Sequence, residues 1–317
     1  MHVKKLARQL LPLTVKQYIS NKLRNAGYEK RQQMPPLDLR GLLDSPFEAL
    51  SRANYQPVLV DIPLDRCRGL DLMAFSCSND SNHPFITTLC DYLSGDARSY
   101  SESKLRGYYA RFNPRSSAQY MGLVGECDDM FADSPLYALA PWLGVLSKSQ
   151  RNHIIKFMRS DGKEHGATKF NKNDCIFFGP ISRSRGELEF NRLIKLVKPM
   201  AEQGYIRNDN RDGDITGSLL IRDQEYSILV GRGQHRICSL AANGNTRAPI
   251  RILPDKYNVI DRKESKSWPG VQHGMFSVNQ AEELFDRVFE GRQPDAYYNC
   301  GLVEADSKVE LRSFIFS

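Results

Sequence analysis

The sequence predicts an α+β fold, because segments with helical periodicity are mixed with a few short apolar runs that suit β-strands. The helix with the clearest pattern covers Ser277–Glu290, where apolar residues recur at helical spacing behind a serine that can cap the first turn. Val58–Ile62 is a short run of strand-forming residues. With 317 residues, of which 41% are hydrophobic, the chain is long enough to bury a substantial core.

Further elements follow from the same criteria. Pro199 should kink a helix at 188–203 or end it early, because proline lacks the N–H that a helix interior needs. We divide the chain into a basic amphipathic arm (1–34), a larger, mainly helical N-terminal region (35–165), a third domain (166–256) and a C-terminal helical extension (257–317). Helices are predicted over Pro84–Leu93, Ser116–Leu123, Ser147–Met158 and Leu188–Gln203, and strands over Ser218–Arg222, Tyr226–Val230 and Pro249–Leu253.

The positive charge of the chain is concentrated near its first residues. The net charge is +7, and residues 1–40 hold nine lysines and arginines against two acidic residues, which leaves the other residues without net charge. A neutral body lacks the basic surface of a dedicated duplex-DNA binder, so duplex DNA is disfavoured as a partner. Residues 1–27 resemble a basic amphipathic helix, which suits either peripheral contact with an anionic membrane or packing on its own domain with a solvated basic face.

The cysteines indicate a reducing compartment. Seven cysteines are scattered singly, without a Cys-x-x-Cys pair or a matching Cys/His spacing, so neither zinc nor a disulfide framework is predicted. The first apolar residues are interrupted by charges, which is unlike a signal peptide. We therefore expect a cytoplasmic protein. If the arm binds lipid, the protein would attach peripherally to the inner face of the membrane.

The stretch that carries the functional prediction consists of a strand, a glycine turn and a helix. Tyr226–Val230 runs into Gly231-Arg232-Gly233, and Gln234–Asn243 has the spacing of a short buried helix. Gly244 is placed to cap that helix, because glycine tolerates the left-handed backbone that a helix end requires.

A turn of this kind is a candidate phosphate site. The first N–H groups of a helix have no partner within the helix, and the helix dipole adds partial positive charge there. Gly231 and Gly233 would let the chain approach a phosphate closely. The side chains of Gln234, His235 and Arg236 would add donors. The alternative is a tight turn before a helix whose polar side chains are merely solvated.

The same residues resemble the ParB/sulfiredoxin superfamily. The sequence GRGQHRICSLAANG, followed by APIRIL, looks like the turn, the Ala-rich helix and the next strand that hold nucleotide phosphates in that superfamily. Leu188–Gly204 resembles the helix that precedes this element, and Ser218–Arg222 resembles the intervening strand. The resemblance covers about Cys175–Leu253 and implies that residues 166–256 form a ParB/sulfiredoxin-like nucleotide-binding domain.

The resemblance also implies roles for individual residues. Arg192 and Lys195 lie on one face of the preceding helix and would help to hold the nucleotide. An acidic residue ahead of that helix serves as base in the serine kinases of the superfamily, a role for Glu187 or Glu189, and His235 is a third catalytic candidate. Two acids at a helix start are equally good partners for the helix dipole, so this alternative stays open.

Two departures from the superfamily narrow the function. Sulfiredoxins carry their reactive cysteine where this chain has Gln234, which excludes sulfinic-acid reduction as the expected activity. Chromosome-partition members carry a helix-turn-helix domain after the nucleotide fold, and the single strong helix that follows Leu253 is too little for such a domain.

These observations predict a nucleoside-triphosphate-binding protein that acts as a phosphotransferase (kinase). It would move phosphate from ATP or another nucleoside triphosphate to a small hydroxylated acceptor with Mg²⁺, and we assign no residue to a protein-built metal site. The basic arm and the Tyr/Trp-rich stretches favour a cell-envelope sugar or precursor. Tyr108, Tyr109 and Arg111 form either a stacking surface or ordinary packing. The alternative from another class is a nucleotide-gated switch of the ParB type that transfers nothing.

Overall fold

A mixed β-sheet runs through the residues that the computed structural model describes, which are 35–54, 56–123, 131–144, 148–167, 174–207 and 213–301. Residues 37–317 form one compact unit, and the predicted arm at 1–34 lies outside the described residues. The strands of the described ranges are β1 (Leu37–Asp38), β2 (Val58–Pro63), β3 (Cys67–Gly69), β4 (Phe75–Ser76), β5 (Ile215–Arg222), β6 (Glu225–Arg232), β7 (Arg247–Ile252) and β8 (Val259–Asp261).

The strand order places residues from distant parts of the chain side by side. The order is β1-β2-β7-β5-β6-β3-β4, and β8 pairs with the second half of β5. β5 and β6 form an antiparallel hairpin, β7 runs parallel to β5, and β2 runs antiparallel to β7 along six residues. The centre of the sheet therefore consists of the three strands that surround the glycine turn.

Helices cover this sheet and follow the predicted pattern. α7 buries Ile237, Cys238 and Leu240 and packs between α2 and α6. No helix of the described ranges is both long enough and apolar enough to cross a membrane. The helices in these ranges are α1 (Pro46–Arg52), α2 (Pro84–Ser94), α3 (Lys104–Arg111), α4 (Ser117–Met121), α5 (Lys148–Glu164), α6 (Arg183–Gln203), α7 (Gln234–Ala242), α8 (Pro269–Gln272), α9 (Val278–Glu290) and α10 (Asp295–Tyr298).

Every strand and helix predicted above for residues 58–290 is found, and the two largest differences at their ends are in α5, which continues six residues beyond the predicted Met158, and in α6. It begins at Arg183 rather than Leu188, because the Ser182 hydroxyl accepts the Arg185 N–H and is itself held by Asp174. The early end predicted from Pro199 is wrong, since α6 continues to Gln203. Because Pro199 has no N–H, the carbonyl of Lys195 loses its helical hydrogen-bond partner. Both residues are exposed, so water can bind that carbonyl instead.

The predicted division into an N-terminal region (35–165) and a separate domain (166–256) does not hold for the described residues. β2 and β3 come from the first region and pair with β7 and β6 from the second, one on each flank of the central strands. The first region is mainly helical in its described residues, and its four short strands join it to the common sheet. The extension (257–317) contributes β8 to the same sheet. Local sequence patterns carry no information on such long-range pairing.

The tyrosines of α3 are packing residues, which decides between the two alternatives given above. Tyr108 and Tyr109 are each about 2% exposed, and their hydroxyls donate to the carbonyl oxygens of Phe177 and Ile176. Buried tyrosines with satisfied hydroxyls stabilise a core and leave no open ring face for a ligand.

We expect residues 166–256 to remain unfolded when they are expressed without the rest of the chain. Ile228 and Ile250 are fully buried, and each pairs on one side with a strand that this fragment lacks, so the pairing edges of β6 and β7 would be open to solvent. Thermal unfolding followed by circular dichroism, with the full chain as control, measures this. A cooperative transition in the fragment would contradict the shared core.

Candidate functional site

The glycine turn joins the end of β6 to the start of α7. Gly233 has φ +87° and precedes the first helical residue, a conformation that only glycine adopts without strain. A Cβ on Gly233 would also lie 2.9 Å from Cγ1 of Ile215. Gly231 is different, because it is exposed and a Cβ there would meet only Thr216, at 3.8 Å. The exposed side of the turn is therefore open at Gly231, while Gly233 is required by the fold.

Both polar atoms of the Gln234 side chain bind the backbone of the protein and are not available to a ligand. This corrects the predicted role of the Gln234 side chain as a phosphate donor. Its Oε1 accepts the N–H of Leu70 at 2.9 Å, and its Nε2 donates to the carbonyl of Val230 at 2.6 Å. Only 7% of the residue is exposed. Leu70 has a left-handed backbone at φ +52°, so this hydrogen bond holds a strained residue in place.

A buried carboxylate joins α6 to the first turn of α7. Glu189 is fully buried, and its Oε1 lies 2.7 Å from Nη2 of Arg185 and 3.0 Å from Nη1 of Arg192. Its Oε2 lies 2.8 Å from Nε2 of His235. Asp161 of α5 binds the same two arginines at 3.1 Å each. We call these five residues the Glu189 network, in which the two carboxylates balance the two guanidinium groups.

The charge states of the Glu189 network follow from this geometry. Burial alone would raise the pKa of Glu189, but the hydrogen bond from His235 and the positive charges of Arg192 and Arg185 outweigh it and lower the pKa to about 2. Burial lowers the pKa of His235 below its ordinary value, and the contact with Glu189 offsets part of this effect. At neutral pH the network therefore contains an ionised carboxylate beside a neutral imidazole.

The structure brings Glu189, Arg192 and His235 together, as a shared site requires, and leaves Glu187 and Lys195 apart from them. Both oxygens of Glu189 are occupied by protein donors, so its predicted role as the base is not supported. Glu187 is 46% exposed and pairs with Arg183 at 2.8 Å. Lys195 is exposed on α6, whereas Arg192 turns into the network. Arg192 and Lys195, which were predicted to act from one helical face, therefore lie in different surroundings, one in the network and one in solvent.

A group of arginines lies near the turn, around Gly213 and Asp214. Nη1 of Arg236 donates to the carbonyl of Gly213 at 2.7 Å. The carboxylate of Asp214, 2% exposed, lies 2.6 Å from Nε of Arg207 and 3.5 Å from Nη1 of Arg251. Three guanidinium groups thus converge beside the start of α7. We call Arg207, Arg236 and Arg251 the Asp214 arginine group.

Sequence reasoning found Glu189, Arg192 and His235 of the first cluster and Arg236 of the second, and it missed the remaining members: Arg185, Asp161, Arg207 and Arg251. The spacing Arg185-Glu189-Arg192 is a pattern of helical ion pairs at four and three residues, and it could have indicated Arg185. No local pattern indicates Asp161 or Arg251. Strand register brings Arg251 opposite Thr216, whose other neighbour is Arg232 at the end of β6.

The residues at the turn fit an anionic ligand better than a free metal ion. The first N–H groups of α7 and the Asp214 arginine group supply positive potential near the turn, in which Gly231 and Arg232 are exposed. Among the described residues no group of three or more His, Cys, Asp or Glu side chains could hold a metal.

Replacing Glu189 by Gln should destabilise the protein at neutral pH and remove part of its acid sensitivity. The pKa of Glu189 is about 2 when folded and 4.5 when free, so its contribution is present above pH 4.5 and is lost as the pH falls toward 2. Near pH 7 this contribution is about 3 kcal/mol. Urea unfolding of both proteins between pH 2 and 7 should show a stability difference that shrinks below pH 4.5.

The matched control is Glu187→Gln on the same helix. Glu187 makes an exposed ion pair with Arg183, which contributes less than about 1 kcal/mol. A difference between wild type and Glu189→Gln that stays constant with pH would contradict the lowered pKa.

Comparison with known proteins gives no match, so a function can be argued only from the sequence and the geometry of the site. The chain matches no protein family, no curated protein and no solved structure. The resemblance of residues 175–253 to the ParB/sulfiredoxin superfamily therefore stays a prediction from the sequence.

Proposed function

We propose that this chain binds a nucleoside triphosphate, ATP or another, together with Mg²⁺, and transfers the terminal phosphoryl group to a small hydroxylated acceptor. The observation that carries the proposal is the open side of the turn. Gly231 is exposed close to the start of α7, which has no side-chain cap among the described residues, and Arg236 in the first turn of α7 donates to the carbonyl of Gly213, next to Asp214. Phosphoryl transfer depends mainly on positioning and on stabilising charge, and this arrangement supplies both.

The acceptor class is the one that the sequence favours, a sugar or precursor of the cell envelope. The predicted basic arm at 1–27 would bring the protein to the inner face of the membrane where such precursors are found. This part of the proposal rests on the charge pattern of the sequence alone.

A second candidate is the nucleotide-gated switch, and one observation favours it. The Glu189 network connects His235, in the first turn of α7, to Asp161 on α5 through two arginines. An anion bound at the turn would change the charges that hold α5, so binding alone could shift a helix. In this function the nucleotide is bound and no phosphorylated product forms.

A methyl group at Gly231 should weaken triphosphate binding without destabilising the fold. Gly231→Ala places a Cβ where only Thr216 is near, at 3.8 Å, and where the phosphates are proposed to approach. We expect at least about a tenfold loss of affinity, or roughly 1.4 kcal/mol, by isothermal titration with ATP, CTP, GTP and UTP in the presence of Mg²⁺.

Gly244→Ala is the matched control at the opposite end of the same helix. Gly244 has φ +77° with nothing within 4 Å of an added Cβ, so the variant should lose about 1–2 kcal/mol of stability and keep its affinity. Unchanged triphosphate affinity in Gly231→Ala would remove the turn as the phosphate site.

Transfer and gating differ in their products. Wild-type protein incubated with γ-labelled triphosphate, Mg²⁺ and a panel of serine, free sugars and lipid-linked sugars should form a labelled product that depends on one acceptor. Saturable binding with slow hydrolysis and no labelled acceptor would instead select the switch. The absence of both binding and product would end the proposal.

A further inference from the structure

His235 is held by the protein at only one of its two ring nitrogens. Nε2 contacts Glu189 at 2.8 Å, and the ring packs against Phe85 with centroids 5.1 Å apart. Within the described part of the chain, Nδ1 of His235 has no hydrogen-bond partner. It is not one of the unpaired side-chain atoms that are completely buried, so it is not sealed from solvent. The side chain is 11% exposed. Nδ1 is therefore the edge of the imidazole that a ligand can reach.

The contact with Glu189 decides which nitrogen carries the proton. A carboxylate whose pKa is about 2 is ionised at neutral pH and can only accept hydrogen bonds. Nε2 must then be the donor, so the neutral ring has its lone pair on Nδ1. A buried carboxylate that fixes the tautomer and orientation of an imidazole is the arrangement that general-base catalysis needs.

This lone pair belongs to a residue of the first turn of α7, which is the proposed phosphate site. His235 is the second residue of α7, next to the N–H groups that would bind the phosphates. The rival carboxylates are less suited to the role. Glu189 has no free oxygen, and Glu187 pairs with Arg183 without a contact to the turn among the described residues.

We infer that His235 accepts the proton of the acceptor hydroxyl through Nδ1, and that Glu189 is a positioning residue that holds the opposite edge of the ring. This inference rests on the proposed phosphotransfer. The hydroxyl proton moves to Nδ1, the oxygen attacks the γ-phosphorus, and the bond to the bridging oxygen breaks. The nucleoside diphosphate leaves with that electron pair, and the imidazolium, stabilised by Glu189, returns its proton to water.

The pH dependence follows from the groups around the ring. Protonation of His235 removes the base, so the transfer rate falls as the pH drops through a pKa that burial places below the ordinary 6.5. Glu189 raises this pKa, and its removal should move the acid limb of the profile to lower pH. The titratable and charged groups that face the ring are Glu189, Arg185 and Arg192 of α6, Asp161 of α5, and His83 at the start of α2.

The decisive variant is His235→Gln. Its amide nitrogen stands at the position of Nε2 and can still donate to Glu189, while nothing replaces the lone pair of Nδ1. We expect unchanged nucleotide affinity and a transfer rate about 10²–10⁴-fold lower, the usual contribution of a general base. Glu189→Gln should retain part of the rate and shift the acid limb to lower pH, which a loss of stability alone would not do.

His83→Asn is the matched control, because His83 is also a buried imidazole beside Phe85. Its Nδ1 accepts the N–H of Phe85 at 3.1 Å, and an Asn amide oxygen can take that place. This variant should keep the wild-type acid limb. Nitrogen NMR of the imidazoles in wild-type protein gives a readout that is independent of any variant, and we expect His235 to be protonated at Nε2.

The outcomes separate this inference from the proposed function. Transfer by His235→Gln within threefold of wild type, or His235 protonated at Nδ1, would overturn the role of His235 and leave the phosphotransferase intact. Wild-type protein that binds nucleotide and labels no acceptor would overturn the transfer itself. Normal binding with lost transfer in His235→Gln, together with a shifted acid limb in Glu189→Gln, supports both.

Discussion

The buried carboxylate of Glu189 is the interaction on which the arrangement of the site depends. Removing an ionised carboxylate from water costs several kcal/mol, and only close donors on both oxygens offset this cost. The donors come from α6 itself and from His235 of α7, while Asp161 of α5 shares the two arginines. The relative positions of three helices are therefore coupled, because a shift of any of them would leave buried charge unpaired.

The sheet positions the start of α7. β6 ends beside β5, and Gly233 allows the chain to reverse with its Cα close to Ile215, where any side chain would collide. Gln234 then fastens the turn to Leu70, in the segment that follows β3. A central strand and the segment that follows a flanking strand thus hold the same turn, which is why its backbone donors are presented in a defined direction.

These constraints divide the predicted site residues into two classes. Gln234, Glu189 and Arg192 are used by the protein for its own structure, and their polar groups are not offered to a ligand. Gly231 is exposed, the start of α7 has no side-chain cap, and Nδ1 of His235 has no hydrogen-bond partner among the described residues. The functional chemistry of the turn is therefore narrower than the motif suggests: backbone donors, arginine charge and one oriented imidazole.

The sequence by itself determined the local elements and pointed to the glycine turn as the candidate site. Strand propensity, glycine positions and helical spacing identified β6, the turn and α7, and the capping serine identified α9. Only the tertiary structure decided that residues 35–165 and 166–256 share one sheet, and that Glu189 is a buried partner of His235 instead of an open base. Both depend on contacts between residues far apart in the chain, such as Glu189 with His235 and Val58 with Ile252. Spacing along a helix or strand describes its own faces, and it contains nothing about which other element will cover them.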